Sequence, residues 1–254
     1  AEGKIHVPEG AGQAFTISAG AGYHVLDVLV DSVSQGAITT YAFSNVAANH
    51  TIEASFEINM YTLTITSANG TVNANPSQAT YSHGTDVTLN AVAAANYRFI
   101  NWTGDVNSTS NPLTLRMDGN KTVTANYGRE YLVTAQNGTI EGSASSSGTF
   151  LMGSQITLVA DPPAAGKQFA SWVINSGASV IENFNSATTT LTVNSDTTVM
   201  ATYENDVTPP TVTITSPVNG SGLSSSTLAV RGTVSEPVSS VYVNAIPATI
   251  IPTT

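Results

Sequence analysis

Between residues 61 and 66 apolar and hydroxyl side chains alternate strictly, with Tyr61, Leu63 and Ile65 set against Thr62, Thr64 and Thr66. A period of two among residues that favour extended backbone predicts a half-buried β-strand. The dipeptide Asn69-Gly70 follows. It predicts a hairpin, because a type I′ turn needs positive φ at both central residues. Further strands are predicted at 86–91, 97–102, 113–115 and 123–127. No segment carries a 3.6-residue apolar stripe of helix formers, so the chain reads as all-β or nearly so.

The same order of elements returns. Tyr131 opens a second alternating run that ends on Asn137-Gly138, and Phe150, Gly153, Ile156, Leu158, Phe169 and Trp172 stand where Tyr81, Gly84, Val87, Leu89, Phe99 and Trp102 stood. An earlier copy places Phe15, Ile17, Tyr23, Val25 and Val28 in the positions of Val87, Leu89, Tyr97, Phe99 and Trp102. Each copy closes on a related phrase: Ile52-Glu53-Ala54-Ser55-Phe56, Val123-Thr124-Ala125-Asn126-Tyr127 and Val199-Met200-Ala201-Thr202-Tyr203. A period of roughly 70 residues implies an array of small domains, each with its own core, rather than a solenoid of thin repeats.

The expected domains are 1–59, 60–127, 128–205 and 206–254. The first begins at Gly3-Lys4-Ile5, which aligns with Gly70-Thr71-Val72, so its opening strand is expected to be missing. Segments 57–60 and 128–130 are too short to act as flexible linkers, and a stiff, elongated rod is expected. Pro209-Pro210 marks a change of text. Strands are predicted at 211–217, 227–234 and 238–244, with a turn at Asn219-Gly220. A sandwich module needs about seven strands over about 100 residues, so the last domain reads as incomplete.

Composition narrows the function. Charged residues make up 9% of the 254-residue chain, against about 25% in an average protein. Seven Lys and Arg residues within a net charge of −10 leave little to neutralise phosphate, which argues against nucleic acid and against an anionic membrane surface. No apolar run is long enough to cross a membrane as a helix. Cysteine is absent, which removes disulfides and thiolate metal sites. No targeting segment is visible at the start, so a longer precursor is expected.

The Asn-Gly-Thr-Val turn, the centre Asn96-Tyr97-Arg98-Phe99-Ile100-Asn101-Trp102 and the Thr-Val-x-Ala-x-Tyr end resemble the divergent internalin-type B-repeat family of bacterial surface proteins. The resemblance covers residues 1–205. It implies small β-grasp-like domains that serve as stalks or adhesion modules of secreted and cell-surface proteins. Residues 206–254 are similar to part of a bacterial immunoglobulin-like module through Pro209-Pro210, Ser216-Pro217 and Val243-Asn244-Ala245-Ile246-Pro247, with Ala245 where that pattern has glycine.

Candidate chemistry is sparse. Trp102 and Trp172 have the faces for sugar stacking, yet they share a position with Val28, so all three are read as core, together with Phe99 and Phe169. His6, His24, His50 and His83 lack metal-ligand spacing and are read as exposed strand or turn residues. Asp27 with Asp31, Asp105 with Asn107, and Glu204 with Asp206 offer oxygen ligands. None forms a calcium loop, and Asp206 is the best of a weak set. No nucleophile elbow or phosphate loop exists, so no catalytic residue or cofactor is expected. The expected function is a non-catalytic extracellular spacer with an unidentified protein or glycan ligand. Two alternatives stand beside it. One is a filament in which the tail, with Val241, Val243, Ile246 and Ile250, completes the first domain of the next subunit. The other is a carbohydrate-binding accessory of a secreted hydrolase.

Overall fold

In the computed structural model the alternating runs become strands, and the chain is all-β. The structure describes residues 3–142, 145–208, 211–218, 229–235, 241–243, 246–247 and 249. It divides into two units with the boundary between Glu130 and Tyr131.

The first unit holds two copies. The earlier one contains β1 (Gln13–Thr16), β2 (Tyr23–Val30), β3 (Val33–Ser34), β4 (Thr40–Phe43) and β5 (Ile52–Ile58). The next contains β6 (Met60–Tyr61), β7 (Leu63–Ser67), β8 (Gly70–Asn75), β9 (Tyr81–Ser82), β10 (Asp86–Ala93), β11 (Tyr97–Gly104), β12 (Leu113–Arg116) and the 16-residue β13 (Lys121–Gln136), which runs on past the boundary. In this copy β8, β10 and β12 form one antiparallel sheet, while β13 lies antiparallel to β11 and parallel to β7. Val87 and Leu89 from the first sheet and Trp102, Val123 and Ala125 from the second meet in one buried cluster.

The expected Asn-Gly hairpin is corrected by this pairing. β7 pairs with β13 and β8 pairs with β10, so Asn69-Gly70 carries the chain from one sheet to the other. Asn69 has positive φ and Gly70 does not. The glycine is needed for space, because a Cβ there would lie 2.5 Å from the Tyr127 ring and 2.7 Å from the Val92 carbonyl oxygen. Gly138 repeats this, with the Trp172 ring at 2.6 Å and the Val159 carbonyl oxygen at 2.8 Å.

A second shared device explains the Phe-x-x-Trp spacing. Residues three apart on a regular strand face opposite sides. A β-bulge adds one residue and restores a common face. Such a register shift lies between Phe99 and Asn101, between Phe169 and Ser171, and between Val25 and Asp27. Phe99 therefore packs on Trp102 with ring centroids 5.3 Å apart, and Phe169 on Trp172 at 6.2 Å.

The second unit repeats the plan with β14 (Gly138–Ile140), β15 (Ser147–Leu151), β16 (Gln155–Ala160), β17 (Lys167–Ser176), β18 (Val180–Ile181), β19 (Thr188–Thr192) and β20 (Thr197–Asn205). The later half of β13 runs parallel to β20, which pairs antiparallel with β17. β14, β16, β19 and β18 form the opposing sheet. Val133, Leu158, Trp172, Leu191 and Val199 fill the core between them.

The first copy is thinner. β1 pairs with β4, and β3, β2 and β5 form a sheet in which β5 is the edge strand. Its buried members among the described residues are Val25, Val28 and Val30. Ala54 is exposed and Phe56 is 44% exposed, whereas Ala125 and Ala201, at the position of Ala54, are buried. No described strand runs parallel to β5, and this opens that face.

After β20, β21 (Val212–Ser216) pairs with β22 (Arg231–Val234), and β23 (Tyr242–Val243) pairs with β24 (Ile246–Pro247). Pro209, Pro210, the Asn219-Gly220 turn, Ala245 and Ile250 lie outside the described residues.

Candidate functional site

The residues singled out by type are held inside the copies. Val28 and Trp102 are fully buried, and Trp172 nearly so. The Trp102 indole N–H donates to the Ser110 carbonyl at 3.0 Å, and that of Trp172 to the Ser186 carbonyl at 3.1 Å. Each polar edge is satisfied at the same relative place, and neither ring offers a face to a sugar. Phe99 and Phe169 are half-buried against them.

The carboxylates tie loops to strands. Asp27 accepts from the Ser34 hydroxyl at 2.7 Å and the Gly36 amide at 3.0 Å. Asp31 accepts from His50 Nδ1 at 2.6 Å and from the Thr51 amide at 2.8 Å. The His50 bond, then the Thr51 amide, hold the Asp31 carboxyl below the usual aspartate range. Asp105 accepts from the Thr122 amide at 2.6 Å, and Asp206 from the Thr208 amide at 2.8 Å, in an Asx turn. Among the described residues no three of His, Asp or Glu come together as a metal site.

Sequence reasoning missed Asn120 and Asp196. Asn120 Oδ1 accepts the Thr62 amide at 2.9 Å, and Asp196 Oδ1 accepts the Leu132 amide at 2.8 Å. Both residues stand three before the valine of the closing phrase, which is the signal that could have found them. Each bonds the backbone of its copy's opening strand where that strand starts beside the closing one. At Thr62 a second bond runs back, from the Lys121 amide to the Thr62 carbonyl at 2.9 Å.

The closing tyrosines secure the Asn-Gly corners. The Tyr203 hydroxyl donates towards the Asp161 carbonyl at 2.6 Å and lies 3.2 Å from the Asn137 carbonyl. Burial, then the nearby Asp161 charge, pushes its pKa up and keeps the proton in place. The Tyr127 hydroxyl donates to the Thr71 carbonyl at 3.1 Å and lies 3.3 Å from the Ser67 hydroxyl. Where no Asn-Gly corner is present, the closing residue is Phe56, which has no hydroxyl to offer.

Within the first unit the two copies meet at Asn59, the one residue between β5 and β6. Its amide donates to the Gly22 carbonyl and its carbonyl accepts the His83 amide, both at 2.8 Å. Its side-chain oxygen lies 2.9 Å from His24 Nδ1. The half-buried His83 ring stacks edge-on to Tyr61 at 5.9 Å, and a Cβ added at Gly22 would collide with it. His83, expected from sequence as an exposed strand or turn residue, does lie in a turn but is half-buried and packs there. An open cleft of about 300 Å³ lined by Asn137, Asp161, Lys167 and Tyr203 lies over the corner of the last copy.

Compared with known proteins, residues 61–130 and 131–207 each match the divergent InlB B-repeat domain. No curated protein and no solved structure matches the chain. Each matched segment begins at the opening tyrosine, Tyr61 or Tyr131, and ends just past the closing one, so it takes in both sheets and the core between them. With more than half its length so matched, this chain belongs to the divergent InlB B-repeat family.

Proposed function

We propose that the chain is a non-catalytic structural array that acts as a spacer or stalk at a bacterial surface. B-repeats are typical of bacterial surface and secreted proteins and are generally non-catalytic. The observation that carries the reading is equivalence. The same side chains do the same structural work in the two matched copies, from the buried tryptophans to the Asn120 and Asp196 caps. An enzyme specialises one site, whereas a spacer repeats one unit. Calcium at Asp206 and an extracellular protein or glycan ligand remain part of this proposal. Sedimentation of the whole chain tests it: a monomer at all concentrations is expected, and large polymers would overturn it.

The exposed edge of β5 favours a second reading, a filament joined by strand addition. In the tail proposed to add there, Tyr242–Val243 pairs with Ile246–Pro247, so a donor strand would first have to give up that hairpin. Removal of residues 241–254 should abolish polymers in negative-stain images if this reading holds. Binding to insoluble polysaccharide, lost on substitution of exposed aromatics, would instead favour a hydrolase accessory.

A further inference from the structure

The two matched copies share an arrangement that bears on load. The chain enters the earlier one through the two-residue β6 and then β7 and leaves it through β13, and β7 and β13 are parallel neighbours, with Leu63 opposite Lys121 and Ser67 opposite Ala125. The last copy does the same with the later half of β13 and β20, from Val133 opposite Thr197 to Gln136 opposite Met200. Tension along the chain draws the opening strand towards its own start and the closing strand towards its own end. For parallel neighbours these directions lie along the strands and are opposed. Every inter-strand hydrogen bond is then loaded at once, in shear. An antiparallel hairpin pulled from its open end gives way one bond at a time.

We propose that each of these copies is a tension-bearing element whose opening and closing strands form a shear clamp. Three further observations support it. Val123, Ala125, Val133, Ala135, Val199 and Ala201 are buried along the clamp strands, which shields the bonds between them from water. Asn120 and Asp196 fasten the entry end of each clamp by the same side-chain-to-amide bond. In the first copy, by contrast, no described strand runs parallel to the closing strand β5, whose partner among the described residues is the antiparallel β2. The inference concerns the chain under load and does not depend on where the protein resides.

Single-molecule pulling on the whole chain tests it, since forced unfolding reads the unfolding barrier directly. Handles at the two ends should give two high-force events, each lengthening the chain by about 200 Å, as expected for about 60 residues released. Absence of these two events would overturn the proposal. The chain has no cysteine, so added thiols are unique attachment points. Thr62→Cys with Arg129→Cys loads the β7–β13 pair in shear. Thr62→Cys with Gly119→Cys, where a side chain meets open space, loads the same pair from one end. Rupture force should be severalfold higher in the first geometry, and equal forces would sink the idea. Asn120→Ala should lower one high-force event and Asp196→Ala the other. If neither moved its own event, the fastening role would be refuted.

Discussion

At the scale of single residues, Trp172 links the bulge, the core and the corner of its copy. It shares a face with Phe169, touches the space kept open by Gly138, and donates to Ser186. Trp172→Ala should cost about 3–5 kcal/mol and unfold the last copy, which loss of the cooperative far-ultraviolet circular-dichroism melt of fragment 131–207 would report. Asp31 gives a pH prediction. A carboxyl with a depressed folded-state pKa stabilises fully above its unfolded value and loses that contribution as pH falls through the lower folded value. Acid should therefore loosen the β2–β5 end from the ordinary value of 3.8 downward. Asp31→Asn should remove that dependence in an NMR titration. An Asp31 carboxyl titrating at 3.8 or above would contradict the His50 contact.

At the scale of elements, the Asn-Gly corner separates two roles of glycine. If Gly138 supplied positive φ, asparagine would replace it well, as in a type I′ turn. The structure gives it a close approach to Trp172 and to a backbone oxygen that cannot swing away. Both Gly138→Ala and Gly138→Asn should then destabilise, by about 1–3 kcal/mol, with Asn no better than Ala in urea melts. The strands themselves were legible in sequence because alternation is a property of each strand alone. Their partners were not. Leu63 pairs opposite Lys121, far along the chain, rather than with the strand that follows it across the turn.

At the scale of the whole molecule, the matched copies are self-sufficient in their cores. Residues 61–127 supply one buried cluster and 131–203 the other, and each clamp lies within one unit. Fragments 60–130 and 131–207 should each fold alone and melt cooperatively in calorimetry. A fragment that stayed unfolded would show that it needs its neighbour. The first copy, with a smaller core and an open edge, should be less stable than the two matched copies and exchange its amide hydrogens before them.

Period-two alternation, a spacing of roughly 70 residues and equivalence between copies are local or repeated properties, and they determined the all-β class, the array and the core positions of Val28, Trp102 and Trp172. Contacts between distant residues decided the rest. The burial of Val123 and Val199 chose the parallel partners, and the space beside Tyr127 and Trp172 gave the turn glycines their purpose. Asn120 and Asp196 look in the sequence like ordinary polar residues before a strand. They acquire a role only when folding brings the opening strand alongside, because a side-chain oxygen acts as a cap only where a backbone amide reaches it.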